Sequence, residues 1–463
     1  MNAFTYQSTR GGAPACGFED ALLAGLAPDG GLYVPDVWPS LGAIETLRGR
    51  PFAEIAFAVA DPFVGDFDRS ALMTAIEGAY ASFAHPATAP LTQIGPEDFI
   101  LELHHGPTLA FKDVAMQLLG RLFEHVLAQS GRKLTIIGAT SGDTGGAAIE
   151  ALRDRVGVDV VMLHPEGRIS DVQRKLMTTV EAGNIANVAV DGTFDDCQRI
   201  VKTLFADEAL RQEAGLSAVN SINWARIMAQ ASYYVSASLA LAGGPVNFAV
   251  PTGNFGDALA GWVAKKMGAP VGRILVATNE NDILDRALTT GRYQPGTAEA
   301  TIAPAMDIQV ASNFERALFE AADRDAAWVR AAMAALPGEG FDIPDMALSK
   351  LREDFLSARI DRTETEATMR RVLAETRELL CPHSAIGVAA ATRLRAQGAL
   401  EGPVVSLATA HAAKFPEAVA ATTGVKPELP ERYRDLYELP ERIERLPASP
   451  DAVAAFVRQR IAR

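Results

Sequence analysis

Apolar positions follow two rhythms along the chain. Short, unbroken apolar runs rich in β-branched residues alternate with segments of helical period across the middle of the sequence. LTIIGA (134–139), VDVVMLH, NVAVDG, PVNFAVP, RILVATN and, near the C-terminus, PVVSLAT read as strands. GAAIEALRDRV, FDDCQRIVKTLFAD and ALAGWVAKKMG read as the helices between them. Strands that are apolar on both faces, separated by helices, imply parallel sheets covered on both sides, an α/β fold. Residues 1 to about 90 differ. GLAPDGGLYVPDVWP supplies turn chemistry, and FAEIAFAVADPF and RSALMTAIEGAYASF follow with helical periodicity, which predicts a small N-terminal domain. From 315 to about 380 the strand rhythm stops, and a helical insertion is expected. No internal repeat or low-complexity tract stands out.

The chain has 463 residues, too many for one hydrophobic core, so two or three domains are expected. Hydrophobic residues make up 48% and charged residues 22%, as in an ordinary globular protein with a large core. The net charge of −14 is dispersed, which argues against nucleic acid or an anionic membrane as a partner. An anionic substrate would need a local basic site. Cys16, Cys197 and Cys381 lie far apart, so neither a disulfide framework nor a structural zinc site is expected. Reduced thiols in the cytoplasm fit this better. The N-terminal segment lacks the pattern of a signal peptide, and no apolar stretch approaches the ~20 residues that span a membrane.

Five segments could carry chemistry. In HHGPTLAFKDVAMQLLGRLF (104–123), Pro107 and Thr108 are read as starting a helix whose Phe111, Val114, Leu118 and Leu122 face a core. Lys112 then sits in its first turn or just before it, beside Phe111, where an apolar surround and a positive helix end disfavour the ammonium form. A solvated lysine on an amphipathic helix fits the same pattern. GATSGDTGG (138–146) lies between a strand and a helix, where small residues and free amides suit a carboxylate or phosphate; a capped tight turn is the alternative. PTGNFGDALAG (251–261) repeats that setting, with Gly253 and Gly256 permitting an oxyanion cradle and Asp257 able to cap the next helix. In NSINWARIMAQASYY (220–234), Asn223 and Arg226 share one face of a helix start and could meet a phosphate, or be a cap and a solvated cation. SLATAHAAKFPEA (406–418) puts Thr409 at the carboxyl end of a strand, where open α/β sheets bind ligands.

Together and in this order, these segments resemble the threonine synthase family within the fold-type II pyridoxal-phosphate (PLP) enzymes. The resemblance rests on YQSTRG from Tyr6, GLAPDGGLYVP, HGPTLAFKD, TSGDTG, NSINWARI, PTGNFGD, SNFER (312–316) and ATAHAAKF, and runs to about residue 420. It implies that Lys112 is the Schiff-base lysine and that Gly253, Asn254, Phe255, Gly256 and Asp257 hold the cofactor phosphate. Thr140, Ser141, Gly142 and Thr144 would grip the substrate carboxylate. Asp143 would face the cofactor 3-hydroxyl, where relatives commonly place Asn, and Thr409 would meet the pyridine nitrogen. Asn223 and Arg226 are the candidates for the substrate phosphate. Ala412 stands where the family usually has proline, which should loosen that turn without removing a reactive group.

The implied reaction is O-phospho-L-homoserine plus water giving L-threonine and phosphate, with Lys112 shuttling protons at Cα and Cβ. The implied layout is an N-terminal domain at 1–92, a PLP-binding region at 93–425 with its insertion at about 315–380, and a C-terminal helical tail at 426–463. A cytoplasmic monomer or homodimer is expected, without metal, nucleic acid or membrane. A short-chain dehydrogenase is disfavoured by the glycine spacing of GATSGDTG and the lack of a Tyr-x-x-x-Lys pair. A serine hydrolase would need G-x-S-x-G, and a metal enzyme something other than the adjacent His104 and His105. A threonine-synthase-like phospho-lyase and a non-catalytic scaffold are the other rivals.

Overall fold

The apolar runs form two separate sheets in the computed structural model, which describes residues 4–241 and 243–462. The larger has six strands in the spatial order Phe355–Arg359, Val271–Thr278, Val246–Pro251, Val404–Ala408, Asp98–Glu102 and Leu91–Gln93. All neighbours are parallel except the last pair. The smaller has five parallel strands in the order Glu444–Pro447, Ile185–Asp191, Val158–Pro165, Leu134–Ala139 and Leu216–Ser217. Every residue of Val246–Pro251 and of Val404–Ala408 is buried, as their lack of polar alternation requires.

Register fixes where the chemistry falls. The carboxyl ends of Leu134–Ala139, Val246–Pro251 and Val404–Ala408 run into GATSGDTGG, PTGNFGD and Thr409, and open α/β sheets bind ligands at such ends.

The N-terminal region is wired into this body. Strand Tyr6–Ser8 pairs antiparallel with Tyr33–Pro35, and the buried Tyr6 hydroxyl donates to Phe63 O at 2.7 Å. Helix Phe52–Ala60 packs on helix Trp224–Ala240, and helix Arg69–Tyr80 packs on helix Lys112–Ser130. Their buried faces share one continuous apolar cluster with those two helices.

Two segments contain more than the helices expected of them. The 315–380 stretch is mostly helical, but its Phe355–Arg359 supplies the edge strand beside Val271–Thr278. The chain after residue 425 carries helix Pro450–Ile461 and also the strand Glu444–Pro447, which extends the smaller sheet. Charged residues flanking these short strands masked their period in the sequence.

Candidate active site

Lys112 is the first residue of the helix Lys112–Ser130, not a residue within a helix begun at Pro107. The late helix start has a local cause. Thr108 donates its amide and hydroxyl to the Asp113 carboxylate at 2.7 and 2.5 Å, and Leu109 takes φ +61°, so 106–111 is a turn. Phe111 N donates to Thr409 O at 2.8 Å, which ties that turn to the end of strand Val404–Ala408. The helix is buried around much of its circumference, and Lys112 is only 9% exposed, so a solvated lysine is ruled out.

Three charged side chains converge there. Lys112 Nζ lies 3.4 Å from Asp143 Oδ2 and 5.0 Å from the centre of the Phe111 ring. The other Asp143 oxygen meets Lys414 Nζ at 2.7 Å and accepts from Gln173 Nε2 at 2.9 Å. Lys414, 1% exposed, also donates to Thr108 O at 2.7 Å. Burial pushes the Lys112 ammonium down; Asp143 opposes this, and the charges of Lys414 and Arg226 reinforce it. Burial alone would raise Asp143, yet Lys414, then Lys112, hold it well below the ordinary carboxylate range. One carboxylate shared by two buried lysines keeps its charge, while burial disfavours the charged form of Lys112.

The first glycine-rich turn is braced from within. Thr140 Oγ1 accepts from Gly142 N and Gly145 N, both at 2.9 Å, so its hydroxyl shapes the loop. Gly142 adopts φ +133°, and a Cβ there would come within 2.6 Å of the Gln173 amide carbon. Ser141 is exposed and Thr144 half-buried, the two hydroxyls of the loop best presented to a ligand. Asp143 opens the helix Asp143–Leu152, which has no side-chain cap.

The second turn has the same logic. Phe255 sits at φ +63° just before the helix Gly256–Lys266, which also begins without a side-chain cap. Asp257 is not the cap the sequence suggested. It turns inward, where the hydroxyls of Tyr233 and Tyr234 both donate to its Oδ1, and burial raises its acid to about 6 despite these bonds. Asn254 O accepts from Asn313 N of SNFER at 3.0 Å, and a Cβ on Gly253 would lie 2.8 Å from Ala305 O. An uncapped helix start behind a glycine loop suits a phosphate.

Arg226 lies on helix Trp224–Ala240, 3% exposed, with Nε and Nη1 shielded from solvent and without partners among the described residues. Burial pulls its guanidinium down to about 10. A buried cation with unpartnered donors calls for an anion. Asn223 is placed differently. It caps this helix by accepting from Ala225 N at 3.1 Å and donates to Leu22 O at 2.8 Å, so it seats Arg226. Thr409, 6% exposed, follows strand Val404–Ala408, and its amide donates to Ser384 Oγ at 3.2 Å. The turn after it is capped by His411, whose Nδ1 accepts from Ala413 N at 3.2 Å, so Ala412 is held without a proline.

The residues therefore fit an aldehyde cofactor bearing a phosphate: a buried lysine with a depressed pKa, a charged partner for a phenolic oxygen, and an uncapped helix start. Sequence reasoning missed Lys414 and Gln173. Lys414 lay within a quoted motif, ATAHAAKF, whereas Gln173 had no signal.

Comparison with known proteins agrees. The family model for the threonine synthase N terminus matches residues 5–80, that for pyridoxal-phosphate dependent enzymes matches 90–336, and that for the threonine synthase C-terminal region matches 384–457. The threonine synthase of Pseudomonas aeruginosa is 49% identical over 462 residues, covering 98% of each chain. Among solved structures, the PLP-bound threonine synthase of Brucella melitensis superposes with a TM-score of 0.96 at 49% identity, covering 99% of both chains. The yeast threonine synthase gives 0.94 at 37% identity, again over 99% of both.

Proposed function

The chain belongs to the threonine synthase family, and from that membership we propose how its own residues divide the work of the reaction. It is a PLP-dependent lyase that converts O-phospho-L-homoserine and water to L-threonine and phosphate, the last step of threonine biosynthesis. PLP, when bound, supplies the electron sink for charge developing beside the substrate amine. Lys112, Asp143, Thr409 and the loop Gly253–Asp257 would hold it.

In this reading Lys112 anchors the cofactor aldehyde, and its freed amine then moves protons at the substrate Cα and Cβ. Its depressed basicity supports that role, because an amine held as ammonium cannot accept a proton. Asp143 stays ionised to accept from the 3-hydroxyl side of the cofactor. Ser141 and Thr144, with the backbone of Gly142 in the loop braced by Thr140, receive the substrate carboxylate. Arg226 binds the substrate phosphate and keeps it after it leaves, close to where water is deprotonated for attack at Cβ. Asn223 supports that site by fixing the start of the helix that carries Arg226. The observation that carries the assignment is the buried Lys112–Asp143–Lys414 cluster set between two glycine-rich strand-to-helix turns.

The same reading divides the chain at about residues 92 and 425 and places the enzyme in the cytoplasm as a monomer or homodimer, without nucleic-acid or membrane partners. Three free cysteines support a reducing compartment, and among the described residues no helix is long and apolar enough to cross a membrane. Lys112→Ala should lose the visible chromophore of the lysine-bound cofactor. Release of threonine and phosphate from O-phosphohomoserine should fall by at least ~10²–10⁴-fold. A variant that stayed yellow and active would refute the assignment of Lys112.

A further inference from the structure

Behind the catalytic loop lies a second group of side chains that the reaction does not use. His85, His104, His105 and His411, four of the chain's seven histidines, gather where the chain leaves strand Asp98–Glu102. The rings of His104 and His105 stack at 5.0 Å with an interplanar angle of 28°, and the His411 ring meets His104 edge-on at 5.3 Å. Adjacent residues in a strand would face apart. Here the strand has ended, so two neighbours in sequence present their imidazoles together.

We propose that Glu102, His104 and His105 form a binding site for a divalent transition metal of the zinc class, with His411 at its edge. One donor atom from each of the three lies within 4.8 Å of the others. Tetrahedral ligands ~2.0–2.1 Å from zinc stand roughly 3.3 Å apart, so side-chain adjustments of about an ångström close the site. Glu102 Oε2 and His105 Nε2 are already 2.7 Å apart, held by a proton that a metal would replace. His104 Nδ1 is shielded from solvent with no hydrogen-bond partner among the described residues, which a buried imidazole nitrogen seldom tolerates. A cavity of about 270 Å³ adjoins the group, lined by Glu102, His104, Cys381, His411 and Glu428, with room for a water or a fourth ligand. Two imidazoles and a carboxylate suit zinc better than magnesium or calcium, which favour all-oxygen sites.

This site is distinct from the catalytic one yet coupled to it. Ala408 and Ala410 line the cavity, whereas Thr409 between them is assigned to the cofactor, so the two sites lie back to back across one stretch of chain. The ligands stand one to four residues before Gly106, which with Pro107 opens the turn that leads to Lys112. A metal bound here would clamp that turn to strand Asp98–Glu102, giving metal supply a handle on the catalytic lysine.

Equilibrium dialysis of the metal-free holoenzyme against Zn²⁺ in phosphate-free buffer tests this. One Zn²⁺ per chain is expected, bound at least tenfold more weakly by His104→Gln and by Glu102→Gln. His125→Gln, on the remote face of helix Lys112–Ser130, should bind as the parent does. Absence of a stoichiometric site, or undiminished binding by His104→Gln, overturns the proposal. If the variants do not fold, Co²⁺ added to the unaltered enzyme decides. Intense ligand-field bands of low-coordinate Co²⁺ support the site, and a spectrum unchanged from aqueous Co²⁺ overturns it.

Discussion

At the scale of single residues, Asp143 and its two lysines set the electrostatics of the site. Lys414 holds Asp143 at 2.7 Å, closer than Lys112 does, and its charge helps keep Lys112 deprotonatable. Lys414→Met should release Asp143 to pair with Lys112 and raise the pKa of that lysine. The acidic limb of the pH–rate profile would move to higher pH, and kcat would drop on the order of 10²-fold through misplacement of Asp143. Rescue by Lys414→Arg would separate charge from packing. Asp257 carries a pH signature of a different sign. Its folded-state acid titrates at about 6 against an ordinary 3.8, so the native state binds the extra proton between these values. Stability from this group is present below pH 3.8 and lost as pH rises towards 6. Relative to Asp257→Asn, which cannot ionise, the parent should lose about 3 kcal/mol of unfolding free energy across that window, read from denaturant titrations.

At the scale of elements, the contact between helices Lys112–Ser130 and Asp143–Leu152 positions Lys112 against Asp143. Gly120 makes it possible, since a Cβ there would lie 2.4 Å from Ala151 O. Alanine is the better helix former by about 1 kcal/mol. Gly120→Ala should nonetheless destabilise by about 1–3 kcal/mol, because the two helices must separate. A lowered denaturation midpoint together with weaker cofactor retention would mark this outcome; a stabilised variant would contradict it. The helices and strands with long apolar runs, such as Val158–Pro165 and Val246–Pro251, were legible because those runs carry clear periods, whereas the short strands Asp98–Glu102, Phe355–Arg359 and Glu444–Pro447 were not. The start of helix Lys112–Ser130 was not, because the turn before it is held by Asp113 and by Thr409, the latter some 300 residues away.

Across the whole molecule, distant motifs meet at one buried arginine. Arg316 of SNFER donates to Tyr33 O at 2.9 Å, Asn313 Oδ1 at 2.5 Å and Ile222 O at 2.7 Å, joining the N-terminal region to the helix that bears Arg226. Nearby, Arg10 and Thr9 of the opening STRG bind Glu315 at 2.8 and 2.6 Å. Arg316→Met would leave three buried acceptors unpaired and should cost about 3–5 kcal/mol. On the role proposed for Arg226, the same change should raise KM for the phosphorylated substrate. The C-terminal segment reaches the turn before Lys112, with Arg432 donating to His105 O and Tyr433 to Pro107 O. By itself the sequence determined the parallel α/β class and two glycine-rich strand-to-helix turns, because local period and glycine placement encode them, while Lys112 stood out only through the family resemblance of the motifs around it. Only the tertiary structure decided that Lys414 shares Asp143 with Lys112, that Asp257 turns to the tyrosines, and that four histidines gather behind the loop. Those relations depend on which strand ends are brought together, and spacing along one chain does not record that.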